Sequence, residues 1–173
     1  MRRSPPPPKP SLKRRTDSGV YRPNMKKLLL TLATTVALGF SVIAAEAWST
    51  DYAAAQAQAK KDGKAILIDF TGSDWCGWCI KMKKEALDLK EFTDYAAKSV
   101  VLFEADFPNK KAQTPEVKKQ NEDLKKKYAV QGFPTFVLVD ADGKELGRQV
   151  GYLKGGPSAF VTKIEEWKKP AAK

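Results

Sequence analysis

Apolar and polar positions change period several times between residues 51 and 167, and each change marks an element. Residues 51–62 are rich in Ala, Gln and Lys, with Asp51 placed as a cap and Gly63 as a stop, which predicts a helix. Ala65-Ile66-Leu67-Ile68-Asp69-Phe70 is a short apolar run of the kind that forms a strand buried on both faces. Thr71-Gly72-Ser73-Asp74-Trp75 is a tight segment leading into Cys76, after which Ile80, Met82, Ala86 and Leu87 recur at helical spacing. Residues 92–98 read as a further helical stretch, and 99–106, with Val100-Val101-Leu102-Phe103, as a second buried strand. The chain is polar from residue 108 and then a lysine-rich helix from Thr114 to Lys127.

Gly132-Phe133-Pro134 punctuates the chain before a third strand over 135–139. Asp140-Ala141-Asp142-Gly143 is turn chemistry, so a strand over 144–152 closes an antiparallel hairpin. Pro157 lies in the first turn of a last helix, whose Phe160, Ile164 and Trp167 share one face. Alternation of helices and strands followed by a hairpin predicts an α/β fold, a mixed central sheet with helices on both faces.

The pattern before residue 48 is different. Met25-Lys26-Lys27 precedes an apolar run from Leu28 to Ala45, and Ala45-Glu46-Ala47 follows as a small-x-small site. Residues 25–47 thus read as a signal peptide cut after Ala47, with export to the periplasm or the medium as the expectation. An uncleaved anchor holding the domain outside the cytoplasm is the rival, because about 17–25 apolar residues span a bilayer. Thr31, Thr34, Thr35, Gly39 and Ser41 dilute the run, and no basic cluster follows Ala47. Residues 1–24, which include Arg2-Arg3-Ser4-Pro5-Pro6-Pro7-Pro8, form a basic, proline-rich extension that cannot pack a core. Translation from Met25 is the simplest account of them. Residues 48–173 are left as one domain.

Charge changes the picture little. The 173 residues hold 31 Lys and Arg against 20 Asp and Glu, a formal +11. Nine of those cations, against Asp17 alone, fall within residues 1–27. From residue 48 onward 22 cations stand beside 18 acids, often on one helix, as in Lys125-Lys126-Lys127 after Glu122 and Asp123. That is a solvated face, and no nucleic-acid partner is expected.

The chemistry is confined by what is missing. There is no histidine, which excludes Ser-His and Cys-His nucleophiles and His-ligated zinc. The two cysteines are too few for an all-thiolate metal site, so no metal is expected. Both lie in Trp75-Cys76-Gly77-Trp78-Cys79, where a buried strand ends and a helix begins. A thiol at a helix start meets free backbone N–H groups and the positive end of the helix dipole, which favour the thiolate. The second thiol, one turn inward, is shielded and can attack a mixed disulfide on its neighbour. Cys76 is thus expected to be reachable from outside and Cys79 to wait behind it. A purely structural bridge is the alternative, though one closing so short a loop removes little unfolded-state entropy.

From Asp51 to Trp167 the chain resembles the thioredoxin-like proteins, and among them the exported thiol:disulfide oxidoreductases. Three separated stretches carry the likeness: Ile68-Asp69-Phe70, Trp75-Cys76-Gly77-Trp78-Cys79-Ile80-Lys81, and Tyr128-Ala129-Val130-Gln131-Gly132-Phe133-Pro134-Thr135. The resemblance implies a thioredoxin fold, no cofactor, protein thiol or disulfide substrates, a redox partner protein and a monomeric chain. It implies Cys76 as nucleophile and Cys79 as resolving thiol, the two forming a redox-active disulfide. Pro134 is implied as a cis-proline facing them, with Phe133 offering backbone hydrogen bonds to an extended substrate. Trp75 and Thr135 complete the implied substrate-binding surface, and Gly132 is expected to permit close approach there. Asp69 matches the family's buried acid, which handles the proton of Cys79; an ordinary strand-end carboxylate is the alternative.

Three departures accompany the likeness. The segment Thr71-Gly72-Ser73-Asp74 is one residue longer than in the ordinary cytosolic proteins, the second strand lacks a lysine to partner the acid, and Gly-Trp replaces Gly-Pro between the cysteines. Residues between the cysteines tune the reduction potential, so direction is not inherited. A reductase is the leading expectation, with an oxidase or isomerase and a redox-inert peptide-binding module as alternatives. Residues 107–127 look like an insertion carrying a solvated helix.

Overall fold

The computed structural model describes residues 48–169. The basic extension and the segment read as a signal peptide, residues 1–47, lie outside the described residues. Five helices, a π-helical turn and four strands follow in the order α1 (Tyr52–Asp62), β1 (Ala65–Thr71), α2 (Gly77–Met82), the π turn (Lys83–Leu87), α3 (Lys90–Ser99), β2 (Val100–Asp106), α4 (Pro115–Lys127), β3 (Thr135–Val139), β4 (Glu145–Val150) and α5 (Gly156–Lys168). Asp51 caps α1 as expected, accepting from the Ala54 N–H at 3.0 Å. Gly63 stops the helix in the left-handed region at φ 65°, a conformation open to glycine without a Cβ penalty.

The sheet runs β2-β1-β3-β4. β1 and β2 are parallel, in a register that sets Asp69 beside Glu104, and β3 runs antiparallel to both β1 and β4. Strand side chains alternate between faces, so the apolar runs feed two cores. Ile66, Ile68 and Phe70 of β1 join Val101, Phe103 and Ala105 of β2 under α1 and α4. Leu67, Val100, Leu102, Phe136 and Leu138 meet Met82, Leu87, Phe92 and Phe160 of the helices opposite. Phe160 lies 4.8 Å from Phe136 and 5.7 Å from Phe92 between ring centroids. On this second face the alternation continues as Asp69 and Thr71 on β1 and Glu104 and Asp106 on β2. The floor beneath α2 therefore turns polar where the two parallel strands reach their carboxyl ends, the end at which open α/β sheets place their chemistry.

The mixed sheet with helices on both faces is as expected; four details differ. The fourth strand is shorter than 144–152, because Asp140 holds the turn through the Asp142 and Lys144 N–H groups and Gly151 bends the chain away at φ 78°. The helix after the cysteines passes through the π turn before α3 begins. Helix α4 is no solvated appendage: Asn121 and Leu124 are buried, and Leu124 with Tyr128 and Val130 closes the first core. Ser49 pairs in parallel with β2, its N–H donating to Leu102 O at 3.0 Å and its carbonyl accepting from Glu104 N–H at 2.9 Å. That pairing lays Trp48 against the second core.

Candidate active site

Cys76 and Cys79 are joined as a disulfide at the start of α2, their Cα atoms 5.2 Å apart. Cys76 is the N-cap residue, and its Sγ accepts the Cys79 N–H at 3.2 Å. A backbone donor aimed at this sulfur, with the helix dipole behind it, favours negative charge there once the bridge opens. The expected contrast in access is small in this oxidised state: Cys76 is 7% and Cys79 4% exposed. The flanking Trp75 and Trp78 are instead open, at 46% and 59%. Both cysteines are thus nearly closed to solvent while the tryptophans beside them in the chain are open.

The longer segment before the motif has a structural use. Asp74 accepts from three successive backbone N–H groups, of Asn109 (2.9 Å), Lys110 (2.7 Å) and Lys111 (3.2 Å). Those donors, the Asn109 N–H first, hold its carboxyl below the usual range. Ser73 donates its N–H and hydroxyl to Asp106 at 2.9 and 2.6 Å, and the Trp75 indole donates to Phe107 O at 2.7 Å. Residues 106–111 and the motif are thereby one unit. Gly72 lets the indole lie across the segment, since a Cβ there would sit 2.5 Å from the ring. The loop, read as part of an insertion, belongs to the site.

Phe133–Pro134 is a cis peptide, as expected. Pro134 is buried and its carbonyl accepts from Gly151 N–H at 2.8 Å. Thr135, also buried, donates its hydroxyl to Gly132 O at 2.8 Å, which steadies the loop and leaves that hydroxyl engaged within the chain. Gly132 does not serve close packing: among the described residues nothing lies within 4 Å of a Cβ built there. Phe133 lies between two aromatic neighbours, 5.9 Å from Trp75 and 5.0 Å from Phe107, with the Lys125 ammonium 5.6 Å from its ring. With Trp78, Gly151 and Tyr152 it also lines a groove of about 280 Å3. Tyr152 stands 5.6 Å from Trp78, and Lys81 lies over both rings at 4.9 and 5.4 Å. Phe133 thus lies beside the Trp75 and Trp78 indoles of the motif, with Phe107, Tyr152 and Lys125 as further neighbours, and Lys81 over Trp78 and Tyr152. Their contribution depends on loops meeting across the fold, and no local pattern marks it.

Behind the disulfide lies a cavity of about 340 Å3 lined by Asp69, Cys79, Lys83, Glu104 and Trp48 among others. Asp69 is 7% exposed and, among the described residues, its Oδ1 has no hydrogen-bond partner. Burial, then the neighbouring Glu104, push its carboxyl well above the usual range, and Lys83 opposes them. Glu104 is itself pushed up by burial and by Asp106. The second strand brings no lysine to Asp69; Lys83 of the π turn lines the same cavity and pairs with Asp88 at 2.5 Å. Among the described residues no cluster of three or more Cys, Asp and Glu is arranged to hold a metal ion.

A dithiol pair at a helix start, a cis-proline loop and a buried acid behind the inner cysteine define the thiol:disulfide exchange class. Comparison with known proteins agrees. The chain belongs to the thioredoxin-like domain family, which it matches over residues 52–166. It is 45% identical over 114 residues to a disulfide bond reductase, DsbH, of Chlamydia pneumoniae, covering 66% of this chain and 68% of that protein. A thioredoxin-related protein of the same organism, DsbJ, is 31% identical over 101 residues, 58% of this chain, and this match spans only 29% of DsbJ. A solved DsbH oxidoreductase superposes with a TM-score of 0.67 at 43% identity, covering 72% of this chain and 85% of the other. The protein is a thioredoxin-like thiol:disulfide oxidoreductase.

Proposed function

We propose that this oxidoreductase is exported by residues 25–47 and works as a reductase of protein disulfides, with Cys76 as nucleophile and Cys79 as resolving thiol. The observation that carries the roles is the Cys79 N–H donated to Cys76 Sγ at the helix start, which singles out one sulfur of the pair for the thiolate. The direction of electron flow is supported by the relative named a disulfide bond reductase. In the reduced protein the Cys76 thiolate attacks a substrate disulfide, whose S–S bond breaks: one substrate sulfur leaves as a thiolate that water protonates, and the other is held on Cys76 as a mixed disulfide. Cys79 then loses its proton to Asp69 and attacks Cys76 Sγ. The second substrate sulfur leaves as a thiolate that water protonates, and the bridge of this structure re-forms. Two electrons pass to the substrate, and a redox partner protein restores them.

Trp75, Phe133, Pro134 and Thr135 form the substrate side of this reading. An extended segment lies along the Phe133–Pro134 backbone while Trp75 and Trp78 cover its apolar neighbours. One chain supplies every group the reaction uses, which favours a monomer, and the domain acts in the periplasm or the medium. If the apolar segment is retained, the same domain works from a membrane anchor.

The burial of Cys76 in the oxidised state favours one other reading, a peptide-binding module whose bridge is inert. Reduction of insulin, followed by turbidity with an external thiol donor, separates the two. The wild-type protein is expected to accelerate precipitation and Cys76→Ser to abolish the acceleration; a wild-type protein no faster than the donor alone overturns the enzyme.

A further inference from the structure

The cavity behind Cys79 holds more ionisable chemistry than one buried acid needs. Asp69 on β1 and Glu104 on β2 are register partners on adjacent parallel strands, so their side chains leave the same face of the sheet side by side. Both line the cavity that Cys79 borders. Lys83 closes it from the π turn, one helical turn beyond Cys79. We infer that Glu104 and Lys83 act on Asp69 from opposite sides of this cavity, the acid holding a proton on it and the base drawing that proton off, and that their balance sets the pH at which Cys79 resolves the mixed disulfide.

The argument starts from Asp69. Its Oδ1 is buried and faces no partner among the described residues, so in the ionised form one of the two oxygens carries its share of the charge without a hydrogen bond. Two carboxyls side by side on neighbouring strands resist double ionisation, each raising the other's hold on its proton. Glu104 is the more exposed of the two and gives up its proton first; its charge then holds the remaining proton on Asp69. Lys83 pulls the other way on both acids. The remaining groups facing the pair are Asp106 on β2, Asp88 beyond the π turn, Lys84 within it and Lys111 from the loop. Asp106 is held by Ser73 and adds to the acid side, while Asp88 shares the Lys83 ammonium, so Lys83 meets Glu104 as a cation already partly engaged.

This rests on the roles given above for Cys76 and Cys79. In the resolving step the Cys79 S–H bond breaks and its proton passes to the Asp69 carboxylate. The sulfur electron pair forms the bond to Cys76 Sγ, and the bond from Cys76 to the substrate sulfur breaks with its electron pair on the substrate. Asp69 is a catalytic residue in this step; Glu104 and Lys83, which act through it, are positioning residues. Below the pH at which Asp69 ionises, mixed disulfides form but persist.

The test uses the reduced full chain and the symmetrical disulfide of nitrothiobenzoate. One coloured thiolate is released when Cys76 attacks, and a second when Cys79 displaces the other, so the steps read as two phases. The rate of the second phase is followed against pH. Glu104→Gln is expected to move its midpoint down and Lys83→Met to move it up, each by about one pH unit. Glu104→Asp, which keeps the charge, returns the midpoint toward the wild-type value. In an Asp69→Asn background the Glu104→Gln shift disappears. Midpoints that stay in place, that move in the same direction in both variants, or that still shift without Asp69 overturn the inference. If Glu104→Gln fails to fold, Lys83→Met, at a half-exposed site, carries the test alone. A wild-type protein with no first phase overturns instead the roles of Cys76 and Cys79, and the inference falls with them.

Discussion

The two faces of the sheet are made by the same strands and serve opposite ends. Under α1 and α4 the β1 and β2 side chains are apolar throughout, from Ile66 to Phe70 and from Val101 to Ala105, and Tyr52, Leu124 and Tyr128 complete the cover. On the other face the apolar floor stops one pleat short. Leu67 and Leu102 are followed by Asp69 and Glu104, and a cavity stands where packing should be. An apolar pair there would fill space and avoid burying carboxyls, so the second face gives up stability at one spot. The lesson is one of division: one face fixes the strands so firmly that the other can hold ionisable groups under a helix without losing register.

That contrast is open to measurement, beginning with the strongest effect. Phe103→Ala, on the closed face, is expected to destabilise the domain by about 3–5 kcal/mol in urea or thermal unfolding, because its ring is fully buried. The rate of disulfide exchange per folded molecule should remain at the wild-type level. An equally large loss of rate would mean that the faces are not separable. Asp69→Asn, on the polar floor, should do the reverse. It is expected to slow resolution of the mixed disulfide by about a hundredfold while raising stability at neutral pH.

The pH dependence of that gain has a definite sign. Burial raises the carboxyl in the folded protein, so above the ordinary carboxylate range the folded state binds the proton more tightly than the unfolded chain. Stability contributed by protonated Asp69 is present at acid pH and is lost as pH rises from the unfolded value through the raised folded one. Urea titrations across that range should show a decline that Asp69→Asn removes. Parallel curves for both proteins would refute the raised value. The smallest expected effect is that of Asp74→Ala, which frees the 109–111 amides and should show as faster hydrogen exchange there. Little change in overall unfolding is expected, because the carboxyl is at the surface. Protection at those amides that survives the substitution would show that the loop holds itself.

Much of the fold is legible in the sequence. The apolar runs at 65–70 and 100–103 mark buried strands because both faces of the sheet are covered, and Asp51 and Gly63 bracket α1 through cap chemistry that acts locally. The cysteine pair and Pro134 are marked by motif. Glu104 was invisible as a partner of Asp69 because their adjacency depends on the register of two strands 35 positions apart. Helix α4 looked solvated since its lysines dominate composition, whereas its burial rests on Asn121, Leu124 and the residues just after it. The positions of the two motif indoles are set by distant contacts, Trp75 on the Phe107 carbonyl and Trp78 beside Tyr152.

The Asp74 clamp has a practical corollary for anyone recombining such proteins. Because one carboxylate gathers three amides of a strand-following loop, that loop and the tetrapeptide before Trp75 form a single cassette. A chimera that imports one without the other leaves an acid with no donors or donors with no acid, and its tryptophan loses its tether. Grafts that carry both pieces should transplant the rim of this catalyst intact.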